Sequence, residues 1–231
     1  MLSELKEKVY RANLELVKHN LVIFTWGNVS AYDRESGIVV IKPSGVAYDE
    51  MSPDDMVVVD AKSGRTVGGH LNPSSDTPTH LRLYEAFSKV NAIVHTHATF
   101  STAWAQTCRD IPTLGTTHAD HFFGSIPCTR MLTQDEVQGD YELATGDVIV
   151  ERFRDIDYMG VPGVLVAGHG PFAWGDSPSK AVYNAVVLEE VSRMAYYSRT
   201  LGFTGDLPDY IIKKHYNRKH GKDAYYGQNK Q

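Results

Sequence analysis

The sequence predicts one α/β domain in which helices flank a central β-sheet, mixed in direction but largely antiparallel. Two observations carry that expectation. Short β-branched runs bounded by Gly, Pro, Ser or Asp recur along the chain, and stretches with a helical apolar period lie between them. Their spacing is too irregular for a barrel of eight equal units, and no repeat or Pro/Gly/Ser-rich linker divides residues 1–231. Leu2, Leu5, Val9, Ala12 and Leu16 share one helical face, with Ser3 as a candidate cap and Lys18 and His19 suited to the carboxyl end. Leu21–Thr25, Ile38–Lys42 and Met56–Asp60 read as strands. Pro78 opens a helix to Phe87, Ala92–His97 is a strand, and Phe100–Gln106 is a helix. Asp147–Glu151 and Val164–Ala167 add two strands. Ser177 and Pro178 open a long helix to about Thr200, with Ala181, Ala185, Leu188 and Met194 or Ala195 inward. Leu207–His220 is a last helix, stopped by Gly221.

Composition narrows the function. The chain has 231 residues, enough for a substantial core, and a formal net charge of -5, so its surface repels phosphate backbones. Nucleic acid is not an expected partner. The N-terminal segment lacks the uninterrupted apolar core of a signal peptide, and no stretch approaches a membrane span. A cytoplasmic location is expected, with Cys108 and Cys128 as small buried thiols. The informative excess is ten histidines.

The sharpest local pattern is Ile93-Val94-His95-Thr96-His97-Ala98. Residues two apart in a strand face the same way, so both imidazoles converge. A catalytic zinc needs three protein ligands and an open position, and His169, after the apolar run Val164–Ala167 and between two glycines, is the natural third. Asp76 could supply an oxygen. Spacing alone leaves metal binding and plain packing both open; His80 and His19 read as structural.

Three segments offer small residues with free backbone donors: Gly27 and Asn28 within TWGNVS, Lys42, Ser44 and Gly45, and Ser74 and Ser75 ahead of the Pro78 helix. Each alone suits an ordinary turn; together they could hold a phosphate. Asp120 is a candidate acid/base or a solvated loop carboxylate. Tyr225 and Tyr226 sit in a polar tail with no packing period. The basic run Lys213–His220 suits a solvated helix face with His215 turned toward a site.

These segments also carry a resemblance. TWGNVS, IKPSG, PSSDTPTH, IVHTH, GTTHADHFFG, GVLVAGHGPFAWG and KHYNRKHGKDAYYGQ, in order from near Met1 to Gln228, resemble the L-ribulose-5-phosphate 4-epimerases of the class II aldolase/adducin-head superfamily. The resemblance implies a class II aldolase-like fold and zinc, one per subunit, on His95, His97 and His169, with Asp76 at or beside it; other divalent transition metals are possible. It implies phosphate and substrate contacts from Gly27, Asn28, Ser44, Gly45, Ser74 and Ser75 with Lys42 nearby. Asp120 and Tyr226 become the proton-transfer groups, with Thr116 and His215 as neighbours. It further implies a cyclic homotetramer with the site between adjacent subunits.

The implied reaction inverts carbon 4 of L-ribulose 5-phosphate to give D-xylulose 5-phosphate. That carbon is not adjacent to the ketone, so direct proton abstraction is hard. Retro-aldol cleavage, rotation of the aldehyde and re-addition avoid it, with one acid/base group for each face. A related sugar-phosphate aldolase would release its fragments instead. Such aldolases carry glutamate where this chain has Asp76, whose reach is one methylene shorter. A non-catalytic module like the adducin head would not need the three histidines.

Overall fold

In the computed structural model, which describes residues 2–227, the N-terminal periodicity becomes helix α1 (Leu2–Lys18). Met1 and Gln228, the bounds of the resemblance, lie outside the described residues. Val9, Ala12 and Leu16 are buried as expected, while Leu2 is exposed and Ser3 lies inside the helix rather than capping it. Asn20 takes a left-handed φ of 55°, and Leu21 N–H donates to the Leu16 carbonyl at 2.9 Å. That closes the helix in a Schellman-type turn. Leu21–Thr25 is therefore a helix exit, not the strand the sequence suggested.

Seven strands are described: β1 (Gly27–Asp33), β2 (Ile38–Ile41), β3 (Val57–Asp60), β4 (Thr66–Gly68), β5 (Ala92–Thr96), β6 (Gly163–Val166) and β7 (Gly170–Gly175). They form one sheet in the order β4-β3-β2-β1-β5-β7-β6. All pairings between these strands are antiparallel, and the parallel element is one bridge from Cys128 to Leu165. Strand β7 was hidden by its Gly and Pro content. Pro171 falls one residue beyond the last β5 pair, His95↔Phe172, so its missing N–H breaks no rung there.

The helices are α2 (Thr77–Ala86), α3 (Thr99–Gln106), α4 (Thr116–Ala119), α5 (Gln134–Gln138), α6 (Tyr141–Arg152), α7 (Pro178–Thr200) and α8 (Asp209–His220). Asp147–Glu151, expected as a strand, belongs to α6. Its β-branched residues are overridden by helical burial of Thr145, Val148 and Ile149, and the Asp140 side chain caps the start by accepting from Leu143 N–H at 3.3 Å. Gly146 lets α2 approach so closely that a Cβ there would lie 2.8 Å from Arg82 Cβ. In α7 the inward residue is Ala195, with Met194 exposed.

Helix α1 docks on β1 through Asn13, whose amide oxygen accepts from Val29 N–H at 2.9 Å. Helix α7 packs on β5 and β7, and the buried rings of Phe172 and Trp174 pack against His80 and against Phe87 and Phe153 respectively. Both cysteines are free; Cys128 is buried, but Cys108 is exposed at the loop after α3 rather than buried as expected. No helix among the described residues is long and apolar enough to cross a membrane.

Candidate metal centre and anion-binding cleft

Strand register builds the centre. Asn28 on β1 pairs with His95 on β5, and β5 pairs in turn with β7, which follows His169 after a tight turn. Ligand nitrogens of His95, His97 and His169 all lie within 4.8 Å of one another, grading from buried His95 to exposed His97 at the mouth. His95 Nδ1 donates to the Pro171 carbonyl at 2.9 Å, which leaves its Nε2 lone pair free. That Nε2 stands 3.2 Å from His97 Nε2. Two ligands of a tetrahedral ion with metal–nitrogen bonds of about 2.1 Å would stand about 3.4 Å apart. The donor set thus fits a divalent cation. Burial, with His95 and His97 alongside, pushes His169 down to about 3, and burial likewise lowers His97. Both imidazoles are held neutral, the ligand form.

Asp76 caps α2 beside this group rather than within it. Its Oδ2 accepts from Asn28 Nδ2 at 2.6 Å. Burial raises its carboxyl, but His95, His80 and the Asn28 amide together hold it below the usual range. Because a carboxylate can only accept, Asn28 must turn its NH₂ toward Asp76, and the same NH₂ donates to Ser74 Oγ at 3.1 Å. Its amide donors are committed to ordering the cleft wall.

The three small-residue segments meet the imidazoles in one cleft of ≈ 550 Å³, lined by Gly27, Asn28, Lys42, Ser44, Gly45, Ser74, Ser75, Asp76 and the three histidines. Ser74 N–H donates to Lys42 O at 3.0 Å and Ser44 N–H to Asn72 O at 2.9 Å, stapling two of the loops together. Gly27 allows the third to close in: a Cβ there would meet His95 O at 2.8 Å, and its φ is 140°. Lys42 is only 2% exposed; its Nζ donates to Val46 O at 2.7 Å and Pro43 O at 3.2 Å, and burial lowers its pKa to about 8.

Two cleft residues escaped the sequence reading. Tyr141 and Glu142 open α6 and line the cleft, and Tyr141 OH lies 3.4 Å from His169 Nδ1. No motif marked them, because α6 itself was not recognised.

Asp120, Thr116, His215 and Tyr226 do not line this cleft. The structure gathers Asp120, His215 and Tyr226 where α4 packs on α8. Asp120 accepts from Arg218 Nη2 at 2.6 Å, Arg218 Nε at 2.9 Å and His215 Nδ1 at 3.0 Å. Burial raises its carboxyl, and the Arg218 and His215 hydrogen bonds more than offset this, so it stays below the usual range. Arg218 and Lys219 lie 5.1 and 4.4 Å from the centroid of the Tyr226 ring. Exposed Thr116 accepts from Asp120 N–H through its carbonyl at 2.9 Å.

A profile of the class II aldolase and adducin N-terminal domain matches residues 7–196. The chain belongs to that family. Within the class II aldolase family it is similar to the L-ribulose-5-phosphate 4-epimerase UlaF of Salmonella paratyphi B, 56% identical over 228 residues, 98% of this chain and 100% of that one. The UlaF epimerase of Salmonella paratyphi C is 55% identical over the same lengths. Among solved class II aldolase structures, an L-fuculose 1-phosphate aldolase superposes with a TM-score of 0.79 at 25% identity, covering 93% of this chain and 95% of that one. The L-fuculose 1-phosphate aldolase of Glaciozyma antarctica shares the fold, with a TM-score of 0.77 at 16% identity, covering 96% and 84%.

Proposed function

We propose that this chain is a metal-dependent L-ribulose-5-phosphate 4-epimerase, with residues 1–231 acting as one catalytic domain. The observation that carries the reading is the union of three imidazoles with Lys42 and three anion-suited loops in one cleft. Its support is full-length similarity to epimerases at 56% identity. Zinc suits three neutral imidazoles with an open position, as manganese or cobalt would less specifically, and supplies Lewis-acid stabilisation of negative charge on substrate oxygens.

The remaining chemistry belongs to the chain. Lys42, Ser44, Ser74 and Ser75, with backbone donors at Gly27 and Gly45, grip the phosphate and keep the cleaved aldehyde from leaving. Asn28 holds Asp76 against the metal site. Asp120, kept ionised by Arg218 and His215, takes the proton of the carbon-4 hydroxyl as the bond between carbons 3 and 4 breaks. The glycolaldehyde phosphate rotates, the bond re-forms on its other face, and Tyr226 returns a proton to the new alkoxide. Thr116 and His215 flank these groups. Since Asp120 and Tyr226 stand outside the cleft of their own chain, we assign them to the cleft of an adjacent subunit in a cyclic homotetramer. A cytoplasmic location accords with a sugar-phosphate substrate.

The test is direct. Metal-loaded protein incubated with L-ribulose 5-phosphate should yield D-xylulose 5-phosphate, with no free glycolaldehyde phosphate in a coupled assay. Accumulation of the free fragment would make the protein an aldolase instead.

A further inference from the structure

The three small-residue loops of the cleft are tied to one another in a triangle. Ser74 N–H donates to Lys42 O at 3.0 Å, joining the third loop to the second, and Asn28 Nδ2 donates to Ser74 Oγ at 3.1 Å, joining the first to the third. Between the first and the second the backbone offers less. Lys42 N–H reaches Val29 O only at 3.4 Å, beyond the usual range for an amide hydrogen bond. Tyr48 closes this side: its hydroxyl donates to Gly27 O at 2.8 Å.

Tyr48 lies outside every motif that marked the cleft and does not line it. It is buried in the core, 6% exposed. The carbonyl it holds belongs to a demanding stretch of backbone. Gly27 has a φ of 140°, and Phe24, three residues earlier, has a left-handed φ of 53°. Such conformations persist only where the surroundings hold them. Because a peptide unit is planar, fixing the Gly27 carbonyl also fixes the plane that leads into Asn28.

The ring makes a second contact. Lys42 Nζ stands over it, 4.9 Å from the centroid, within reach of a cation–π interaction. An ammonium has three donors, and those of Lys42 find two acceptors among the described residues, Val46 O and Pro43 O. The two carbonyls and the ring thus seat the cation where Lys42 lines the cleft.

We propose that Tyr48 is a positioning residue for the phosphate grip: its hydroxyl sets the Gly27–Asn28 loop, and its ring seats the Lys42 ammonium. The proposal rests on the reading of this cleft as a phosphate site.

Two substitutions take the roles apart. Tyr48→Phe keeps the ring under Lys42 and loses the bond to Gly27; Tyr48→Leu loses both. The probe is inorganic phosphate, titrated into metal-loaded protein and followed on the backbone amide signals of Gly45 and Ser75. Tyr48→Phe should bind phosphate about 3- to 10-fold more weakly than wild type, and Tyr48→Leu weaker again by a similar factor. KM for L-ribulose 5-phosphate should rise in step, with metal content unchanged. In a Lys42→Met background the further loss from Phe to Leu should vanish, because the ring then has no cation to seat. A purely structural role for Tyr48 would keep that step, or would shed metal together with phosphate. Either result overturns the proposal, as does wild-type affinity in Tyr48→Phe. Should Tyr48→Leu not fold, Tyr48→Phe alone decides by the same criterion. Phosphate that shifts neither amide in wild type would instead refute the anion-site reading itself, and this proposal with it.

Discussion

Replacing Lys42 by Met should weaken the grip on phosphate while relieving a buried charge, and pH separates the two effects. Burial lowers the lysine from 10.5 to about 8 in the folded chain. At about 1.36 kcal/mol per pH unit, that difference is worth roughly 3 kcal/mol. Below about pH 8 both folded and unfolded chains carry the proton, and the full cost of enclosing the cation is present. Between about 8 and 10.5 the folded chain sheds it first, so wild-type stability rises; above that range the cost has gone. The hydrogen bonds to Pro43 and Val46, each about 1 kcal/mol, offset part of the cost at any one pH. The informative quantity is therefore the slope. In urea titrations, wild type should gain roughly 2–3 kcal/mol over Lys42→Met between about pH 8 and pH 10. KM for the sugar phosphate should rise at least about 10-fold near pH 7, since the proposed charge-assisted contact to phosphate is lost. Parallel stability curves across that range would refute the account of Lys42 as a desolvated cation.

Three other outcomes follow from the geometry. His97→Ala should abolish both bound metal, measured by elemental analysis, and turnover, while Tyr226→Phe keeps the metal and loses epimerisation. Asp120→Asn keeps an oxygen for His215 Nδ1 and Arg218 Nε but replaces the Oδ2 that accepts from Arg218 Nη2 and removes the charge from all three bonds, and should destabilise the docking of α8 by about 1–3 kcal/mol. Because the Asp120 carboxyl is held below its usual range, its contribution is present above about 3.8 and is lost on acidification, so the variant should show a flatter acid limb in thermal melts. Gly146→Ala should cost about 1–3 kcal/mol in chemical denaturation despite the better helix propensity of alanine, because the new methyl collides with Arg82.

The centre was legible because its logic is local. Alternation along β5 puts His95 and His97 together, and an apolar run delivers His169 to the same end of the sheet. The three small-residue loops were legible as types, and the fold added that Ser74 N–H and Lys42 O tie two of them to one wall. What the residues hid depends on distant contact. The Leu21–Thr25 run looks extended until Asn20 turns left-handed, and the Val148–Val150 run looks extended until Gly146 brings α2 against it. Tyr141 and Glu142 enter the cleft only through that helix. Likewise, no spacing rule could reveal that Asp120 is bound to Arg218, nearly a hundred residues later, outside the cleft.

That separation of Asp120 and Tyr226 from the imidazole cleft has a genetic corollary. In the proposed tetramer, a lesion in either half would silence a homogeneous population, yet the lesions would strike different chains at any one seam. Co-expressing His97→Ala with Tyr226→Phe should thus restore activity from two dead parents, to roughly a quarter of wild-type sites under random mixing. Diluting the protein until the proposed tetramer dissociates should extinguish turnover while every polypeptide remains folded.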